Sequence, residues 1–461
     1  MIGFKKYSRL STCFFTLIVC SCVFQPNIGI IHGSSFFSIP TLSGARKHKI
    51  LHESQLFDKV MRSWSDSIQQ KKLCTHSQED AESSEYKYVV VKLRPGLCNS
   101  MVSLTSSLAL ALLSNRRLIL KSGNFASDHL TDDYQASISD VFEPPVNFGS
   151  CWPTLQSLTK RKSQKNTVQI TFLRGARMRT PIRGKLRTEK IDLLCGSWVQ
   201  KLSVYDFWEI NSHQAFFLAM YINPLMRSTI HEIGAPSFGA MSRSMFRPKE
   251  HIQKEVLNHH AMYLRKSPSI GFQVRVAYLR PVDSNIVLDF LRCTDEDPGS
   301  VFVSTDSNLI RQKFKRYFSD LESISFNSTI DRSALNGIEG AVRDMWTLAG
   351  TDEIIGSSAS TFGQCASGLL GSKRRIILSK QRARLINLKP FECVSGTTGV
   401  CMRQEVWEKL MGTCKFVSSN SLKGAVNDQV ECAYRSDGPH HSRKVSCKSC
   451  KIEIENIDSL A

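Results

Sequence analysis

Apolar and polar positions alternate along the chain with two different periods, and together they predict strands followed by helices. The segment YKYVVVKL (86–93) is an apolar, β-branched run, which favours a buried strand. In MVSLTSSLALALLS (101–114) the apolar residues recur at helical spacing, and RLIL (117–120) is a second short strand pattern. With a tight turn at Pro95 and Gly96 and with Asn99 opening the helix, these segments predict a βαβ unit.

The same alternation returns in the second half of the chain and is more regular there. Its strand patterns are SIGFQVRV (269–276), SVFVSTD (300–306), DEIIGS (352–357) and RIILS (375–379). Helix patterns separate them, so we predict a parallel, doubly wound, Rossmann-like sheet. Residues 121–250 carry weaker signals, with a strand in TVQITFL (167–173) and aromatic helices over 205–226. A length of 461 residues favours two globular domains.

Hydroxyl, cationic and acidic residues gather where the strands of this second sheet end. They are Arg275, Ser304, Thr305, Asp306, Ser357, Ser358, Ser360 and Thr361. The carboxyl ends of parallel strands meet at one edge, where such sheets bind ligands. A helix starting at STFG (360–363) offers N–H groups to a phosphate, Arg275 suits a second phosphate, and Asp306 can accept from a ribose or a base. The alternative is that Ser360 only caps the helix and Arg275 is ion-paired within the fold.

The amino-terminal segment is predicted to be a targeting sequence. Basic residues precede the apolar run CFFTLIVCSCVF (13–24), which is shorter than the roughly 20 residues that a membrane-spanning helix needs. Residues 1–32 are therefore either a cleaved signal peptide or a signal-anchor, and 33–85 is predicted to be a stem or linker. The rest of the chain is expected in the secretory lumen or outside the cell.

Fifteen cysteines fit that compartment, because oxidising conditions favour disulfides over zinc sites. The CKSC motif (447–450), in a basic, cysteine-containing tail over 416–461, is a weak metal signal. The DED triplet (295–297) stands before a strand rather than after one, so we read it as a surface turn and predict no metal and no cofactor. Asn327, in NST, is a glycosylation sequon.

The charge balance suggests an anionic ligand. A net charge of +19, from 60 basic and 41 acidic residues, would suit a nucleic-acid binder, but a luminal protein rarely meets nucleic acid, and we predict no such partner. The basic clusters at 160–165, 174–187 and 372–385 are either solvated surfaces or attract a phosphate-bearing substrate.

Three blocks of the sequence resemble the signature blocks of the plant-type xyloglucan (galactoside) fucosyltransferases. They are KLRPGLCNSMVSLTSSLALALLSNRRLIL (92–120), SIGFQVRV (269–276) and DMWTLAGTDEIIGSSASTFGQCASGLLG (344–371). The family pattern has a GLGNR turn, a GIQxR strand and an STFGYVAQGLGG loop. Weaker similarities at 140–145, 238–248 and 388–401 extend the resemblance over about residues 86–415, in order.

The resemblance implies an α/β, GT-B-like architecture with two Rossmann-like domains and a cleft between them. Residues 86–250 would form the acceptor-side domain and 251–415 the GDP-sugar-binding domain. It also implies an inverting, metal-independent fucosyltransferase of cell wall biogenesis, which passes fucose from GDP-fucose to a glycan acceptor at a hydroxyl, the 2-hydroxyl of galactose. Such an enzyme would be a type II Golgi membrane protein, held by its N-terminal segment, with secretion as the alternative.

The resemblance also assigns roles to individual residues. Arg275 matches the strand arginine that neutralises the donor diphosphate, and it is the predicted catalytic residue. Ser360, Thr361 and Phe362 match the loop that wraps the same group. Together with the strand-end residues and the matched interdomain turn, the predicted donor site comprises Gly96, Asn99, Arg275, Asp306, Ser358, Ser360, Thr361 and Phe362.

Two residues of the first block depart from the family pattern. Cys98 replaces a glycine and Ser100 replaces an arginine, and Arg280 is a candidate to compensate in part for the lost charge. These departures fit either a divergent specificity or lost catalysis. The second supports a rival function, in which a glycosyltransferase-like protein with reduced catalysis binds carbohydrate.

Overall fold

Helices and strands alternate through most of the described chain, as the apolar pattern predicts. The computed structural model describes residues 42–74, 86–93, 96–125, 136–155, 166–171, 177–182, 185–190, 198–212, 220, 238–276, 286–320, 325–326, 335–357, 360–377, 393–395, 445–447 and 452–454. The α-helices are α1 Gly44–Ser67, α2 Leu97–Ser114, α3 Ile138–Val141, α4 Trp198–Leu202, α5 Phe238–Met245, α6 Glu250–Tyr263, α7 Ile286–Leu291, α8 Asn308–Tyr317, α9 Leu335–Gly350 and α10 Thr361–Leu370. The strands are β1 Tyr88–Val91, β2 Arg117–Leu120, β3 Phe142–Glu143, β4 Thr167–Thr171, β5 Arg177–Ile182, β6 Lys185–Lys190, β7 Phe207–Asn211, β8 Arg247–Pro248, β9 Ser269–Val274, β10 Ser300–Thr305, β11 Glu353–Ser357, β12 Lys373–Ile377, β13 Cys393–Ser395, β14 Val445–Cys447 and β15 Ile452–Ile454.

The first half of the chain builds a six-stranded sheet in the order β2-β1-β7-β4-β5-β6. The pairs β1–β2, β1–β7 and β4–β7 are parallel, whereas β5 and β6 add an antiparallel hairpin at one edge. The strand residues of β1 and β2 are all buried, as expected for parallel strands with both faces covered. The predicted βαβ unit of β1, α2 and β2 is confirmed.

The second half builds a five-stranded sheet in the order β10-β9-β11-β12-β13. Its first four strands are parallel, and β13 runs antiparallel to β12. Its core is aliphatic and aromatic, with Phe272 of β9 packed against Phe290 and Phe314 of the covering helices. The predicted α/β, GT-B-like fold is confirmed by its two Rossmann-like sheets. The division into two domains with a cleft between them stays a prediction.

The sequence predicts aromatic helices over 205–226, but this prediction is wrong for the first part of the segment, which is strand β7. Phe207, Trp208 and Ile210 are buried, and β7 pairs with β1 on one side and β4 on the other. Aromatic and β-branched residues pack well in a strand covered on both faces, and that burial outweighs the helix-like spacing. The guanidinium of Arg116 lies 3.8 Å from the centre of the Trp208 ring and fixes one side of it.

The prediction of a stem over 33–85 is wrong for residues 44–74, which are packed into the fold. Ile50, Phe57, Met61 and Trp64 form a buried stripe along α1. Their spacing is helical, but polar residues such as Ser54 interrupt the stripe, which is why the sequence signal is weak. Residues Ile39–Ala461 form one compact unit that contains both sheets. Residues 1–32 lie outside the described residues, so their role as signal peptide or anchor stays a prediction.

The prediction of disulfides is confirmed by two pairs among the described residues. Cys74 is bonded to Cys151 and Cys98 to Cys365. Within the described residues, α2 is long and apolar enough to span a membrane, but 78% of its apolar window is buried inside the protein. Burial of this kind is typical of a core helix.

A buried histidine pair on α6 links the stability of the fold to pH. Burial lowers the pKa of His260 to about 3 and that of His259 to about 4. The Nε2–H group of His260 donates to the carbonyl oxygen of Thr347 at 3.1 Å, which holds the neutral ring in place. A depressed histidine pKa stabilises the fold fully above the unfolded value, about 6.5, and this contribution is lost as the pH falls towards the folded value.

We therefore expect His260→Gln to reduce the acid sensitivity of the fold. At pH 5 the wild-type histidine should have lost about 2 kcal/mol of its contribution, so the variant's drop in unfolding free energy between pH 7.5 and 5 should be smaller by about that amount. Urea unfolding at several pH values measures this drop. His52→Gln, at an exposed position of α1, is the control and should keep the wild-type slope. An unchanged slope in His260→Gln would contradict the assignment.

Candidate functional site

The second sheet has a topological switch point at the carboxyl ends of β9 and β11. The chain passes from β9 to β10 on one side and later returns to β11 on the other side of β9. Connections therefore leave the two strand ends in opposite directions, which opens the crevice where doubly wound sheets bind ligands. Arg275 follows β9, Ser357 ends β11, and Asp306 follows the adjacent β10. The structure thus brings together Arg275, Asp306 and Ser357, three of the strand-end residues that the sequence singles out.

Helix α10 starts at this edge. Ser360 is its N-cap residue, and the Ser360 side chain makes no capping hydrogen bond. Ser360 is buried, whereas Thr361 and Phe362 are half-buried. The N–H groups of the first turn have no partner within a helix, and they carry the positive end of its dipole. The amino terminus of α10 can therefore donate several hydrogen bonds to an anion.

Arg275 and Asp306 form an ion pair at the same edge. The Nη1 of Arg275 lies 2.8 Å from Oδ2 of Asp306, and the two side chains are 26% and 18% exposed. The backbone N–H of Arg275 donates to Ser357 Oγ at 2.8 Å, and that of Val276 donates to Asp306 Oδ1 at 3.0 Å. Asp306 therefore orients the guanidinium and offsets part of its charge. Arg275 is thus ion-paired within the fold, which is the alternative that the sequence left open. Because part of its side chain remains exposed, Arg275 is also accessible to a ligand.

Residues from the first half of the chain also reach this edge. The Thr361 hydroxyl donates to Asn99 Oδ1 at 3.2 Å, and Cys98 is disulfide-bonded to Cys365 of α10. Asn99 was expected to open helix α2, but the helix begins at Leu97, with Gly96 at the N-cap position. Gly96 has a φ of 88°, which a residue with a side chain adopts only with strain.

The two departures from the family pattern have structural explanations. Cys98 is half of the disulfide with Cys365, which a glycine at this position would not allow. Ser100 is 1% exposed within α2. An arginine at this buried position would need partners for its charge. The first turn of α2 is therefore built around a covalent link instead of a cation.

Two polar residues beneath the site, Gln273 and Asp344, were missed by the sequence analysis. Gln273 of β9 is 4% exposed, and its Oε1 is buried without a hydrogen-bond partner. A Cβ added to Gly363 of α10 would lie 3.1 Å from this oxygen, so the glycine leaves room for the amide. Ser304 of β10 donates to Asp344 Oδ2 at 2.8 Å, and burial raises the pKa of Asp344 to about 6. For Gln273, the available signal was a polar residue inside a mostly apolar strand.

Other predicted residues stay predictions. Ser358, Arg280 and the sequon Asn327 lie outside the described residues. In the part of the chain that the structure describes, no three His, Cys, Asp or Glu side chains are grouped to hold a metal. Asp295 of the DED turn is 2.9 Å from Lys373 Nζ and also contacts Arg375, so its carboxylate is already paired with cations.

The fold and the site define an α/β protein with two Rossmann-like sheets and a helix amino terminus at a switch point of the second sheet. No protein-family model and no curated protein matches the sequence. Among solved structures, a mutant of Arabidopsis thaliana FUT1 in complex with GDP is 19% identical, covers 72% of this chain and 79% of its own, and has a TM-score of 0.48. Fucosyltransferase NodZ from Bradyrhizobium is 15% identical, with 68% and 100% covered and a TM-score of 0.42. POFUT1 in complex with GDP-fucose is 13% identical, with 64% and 98% covered and a TM-score of 0.37.

Proposed function

We propose that this chain is a glycosyltransferase that moves fucose from GDP-fucose to a hydroxyl of a glycan. The observation that supports it most directly is the meeting of the α10 amino terminus, Arg275 and Asp306 at one switch point. A helix terminus and a guanidinium suit two phosphates, and a carboxylate suits a ribose or base. The signature blocks that resemble the fucosyltransferase family supply these same residues, which favours GDP-fucose among the nucleotide sugars.

The chemistry explains why these groups stand where they do. Transfer breaks the bond between the anomeric carbon of fucose and the diphosphate oxygen, and a new bond forms between that carbon and the acceptor oxygen. The proton of the acceptor hydroxyl passes to a base. Negative charge grows on the departing GDP, so N–H groups and a cation fixed beside the diphosphate stabilise the transition state. We propose that the acceptor attacks from the face opposite GDP, which inverts the anomeric centre. The galactose 2-hydroxyl is the acceptor that the resemblance favours.

The remaining parts of the proposal follow from the same reasoning. Because Arg275 and the α10 terminus would meet the diphosphate charge, the transfer needs no metal ion. The disulfides fit an oxidising compartment, and a type II Golgi membrane protein with a luminal catalytic part is the proposed location.

A second candidate is a carbohydrate-binding protein with reduced catalysis. Two observations favour it: Asp306 offsets part of the Arg275 charge, and Ser100 provides no cation where the family pattern has one. Both candidates predict glycan binding, but only the first predicts release of GDP from GDP-fucose.

We expect the purified chain to release GDP from GDP-fucose when a galactose-bearing oligosaccharide is present, and to do so equally in EDTA. Coupled detection of GDP measures the reaction, with UDP-galactose as the control donor and acceptor-free samples as the background. Glycan binding without GDP release would favour the second candidate. Activity lost in EDTA and restored by manganese would overturn metal independence and point to Asp295 and Asp297.

A further inference from the structure

A disulfide joins the two halves of the chain next to the candidate site. Cys98 is the second residue of α2, and Cys365 is the fifth residue of α10. Their Cα atoms are 6.2 Å apart, although 267 positions separate them in sequence. Both cysteines are buried, at 4% and 0% exposed. The bond therefore links the βαβ unit of the first sheet to the helix that starts at the switch point of the second.

The contacts around this bond converge on the first residue of α10. Cys365 stands four residues after Thr361, so the two share one face of the helix. The Cys98 Sγ lies 2.8 Å from the Thr361 carbonyl oxygen, and the Thr361 hydroxyl donates to Asn99 at 3.2 Å. The start of α2 thus contacts both the backbone and the side chain of Thr361.

The opposite end of α10 is held independently. Arg46 of α1 donates from Nε to the carbonyl oxygen of Leu370 at 2.7 Å, and Arg243 of α5 donates from Nη1 to that of Leu369. These bonds fix the carboxyl end of the helix. The direction of its amino-terminal N–H groups then depends on the contacts near Thr361. Among the described contacts there, the Cys98–Cys365 disulfide is covalent.

We propose that the Cys98–Cys365 disulfide is a positioning element of the donor site. It holds the first turn of α10 against α2, so that the N–H groups and Thr361 are already aimed at the diphosphate before the ligand arrives. Groups fixed in advance bind more tightly because less freedom is lost on binding. This inference rests on the proposed function, since it assumes that the amino terminus of α10 meets the diphosphate of GDP.

The test compares removal of this disulfide with removal of the other described one. We expect Cys98→Ala/Cys365→Ala to raise the Kd for GDP about tenfold or more at a temperature where the variant is folded. Its KM for GDP-fucose should rise while its KM for the acceptor stays unchanged. The matched control is Cys74→Ala/Cys151→Ala, which should lose thermal stability but keep the wild-type Kd for GDP.

Three results would overturn the inference or its premise. An unchanged Kd for GDP in the folded Cys98→Ala/Cys365→Ala variant overturns the positioning role. Equal weakening in both double variants also overturns it, because the effect is then a general loosening of the fold. A wild-type chain that does not bind GDP instead overturns the proposed function.

If Cys98→Ala/Cys365→Ala does not fold, chemical reduction of the disulfides in the wild-type chain tests the same inference. Aliquots reduced to different extents with tris(carboxyethyl)phosphine are assayed for GDP binding, and mass spectrometry follows the free thiols. Binding should fall in step with release of Cys98 and Cys365, and not with release of Cys74 and Cys151. Binding that survives complete release of Cys98 and Cys365 overturns the proposal.

Discussion

Replacing Arg46 with methionine is expected to lower the free energy of unfolding by about 3–5 kcal/mol. The Arg46 guanidinium donates to the carbonyl oxygens of Ala349, Thr351 and Leu370 at 2.6, 2.8 and 2.7 Å, and to Ser372 Oγ at 2.8 Å. Ala349 and Leu370 lie in the last turns of α9 and α10, where unpaired carbonyls carry the negative ends of the helix dipoles. Methionine keeps much of the apolar stem but removes the Arg46 donor from the oxygens of Thr351 and Leu370 and leaves that of Ala349 with the Ser372 hydroxyl alone among the bonds described.

Urea unfolding of wild type and Arg46→Met at pH 7.5 measures the change. Lys47→Met is the matched control, because Lys47 is the next residue of α1 and is exposed, and its effect should stay within about 0.5 kcal/mol. If Arg46→Met lowers the free energy of unfolding by less than about 1 kcal/mol, Arg46 does not hold α1 to the ends of α9 and α10. Such a result would fit a loosely attached stem.

Replacing Arg275 with alanine is expected to weaken GDP binding about 10- to 100-fold, the effect of losing a charge-assisted hydrogen bond worth about 1.5–3 kcal/mol. The change also leaves the Asp306 carboxylate without the partner now 2.8 Å away, so an anion faces the diphosphate. Asp306→Asn should weaken GDP binding less than Arg275→Ala does, because the Arg275 guanidinium remains and its charge is no longer offset by a carboxylate.

Equilibrium titration of GDP into the folded variants measures these effects. Arg292→Ala removes one positive charge from an arginine whose side chain is 76% exposed, and it controls for a change in net charge. Unchanged GDP affinity in a folded Arg275→Ala variant would remove Arg275 from the donor site. In that case its ion pair with Asp306 would be structural.

The sequence was a good guide wherever one short segment determined the structure. Strand β1 is a continuous apolar run, β9 and β11 are mostly apolar, and α10 follows a cluster of hydroxyl residues, so pattern and turn chemistry were enough. The gathering of Arg275, Asp306 and Ser357 also followed, because parallel strands end at a common edge.

The sequence was a poor guide where distant segments decide the outcome. Strand β7 is fixed by its position between β1 and β4, which no local spacing reveals. Helix α1 gains its place from Arg46, whose partners lie more than 300 residues away. The Cys98–Cys365 bond could not be predicted because the pairing of fifteen cysteines does not follow from their spacing.

Calorimetric titration of GDP into the wild-type chain, in EDTA, tests most directly whether the edge formed by β9, β11 and α10 is a GDP-sugar site. We expect saturable binding at one site, competition by GDP-fucose, and weaker binding when Arg275 is replaced. If the folded wild-type chain binds no GDP, or binds it with the same affinity after Arg275→Ala, this edge is not a GDP-sugar site built on Arg275.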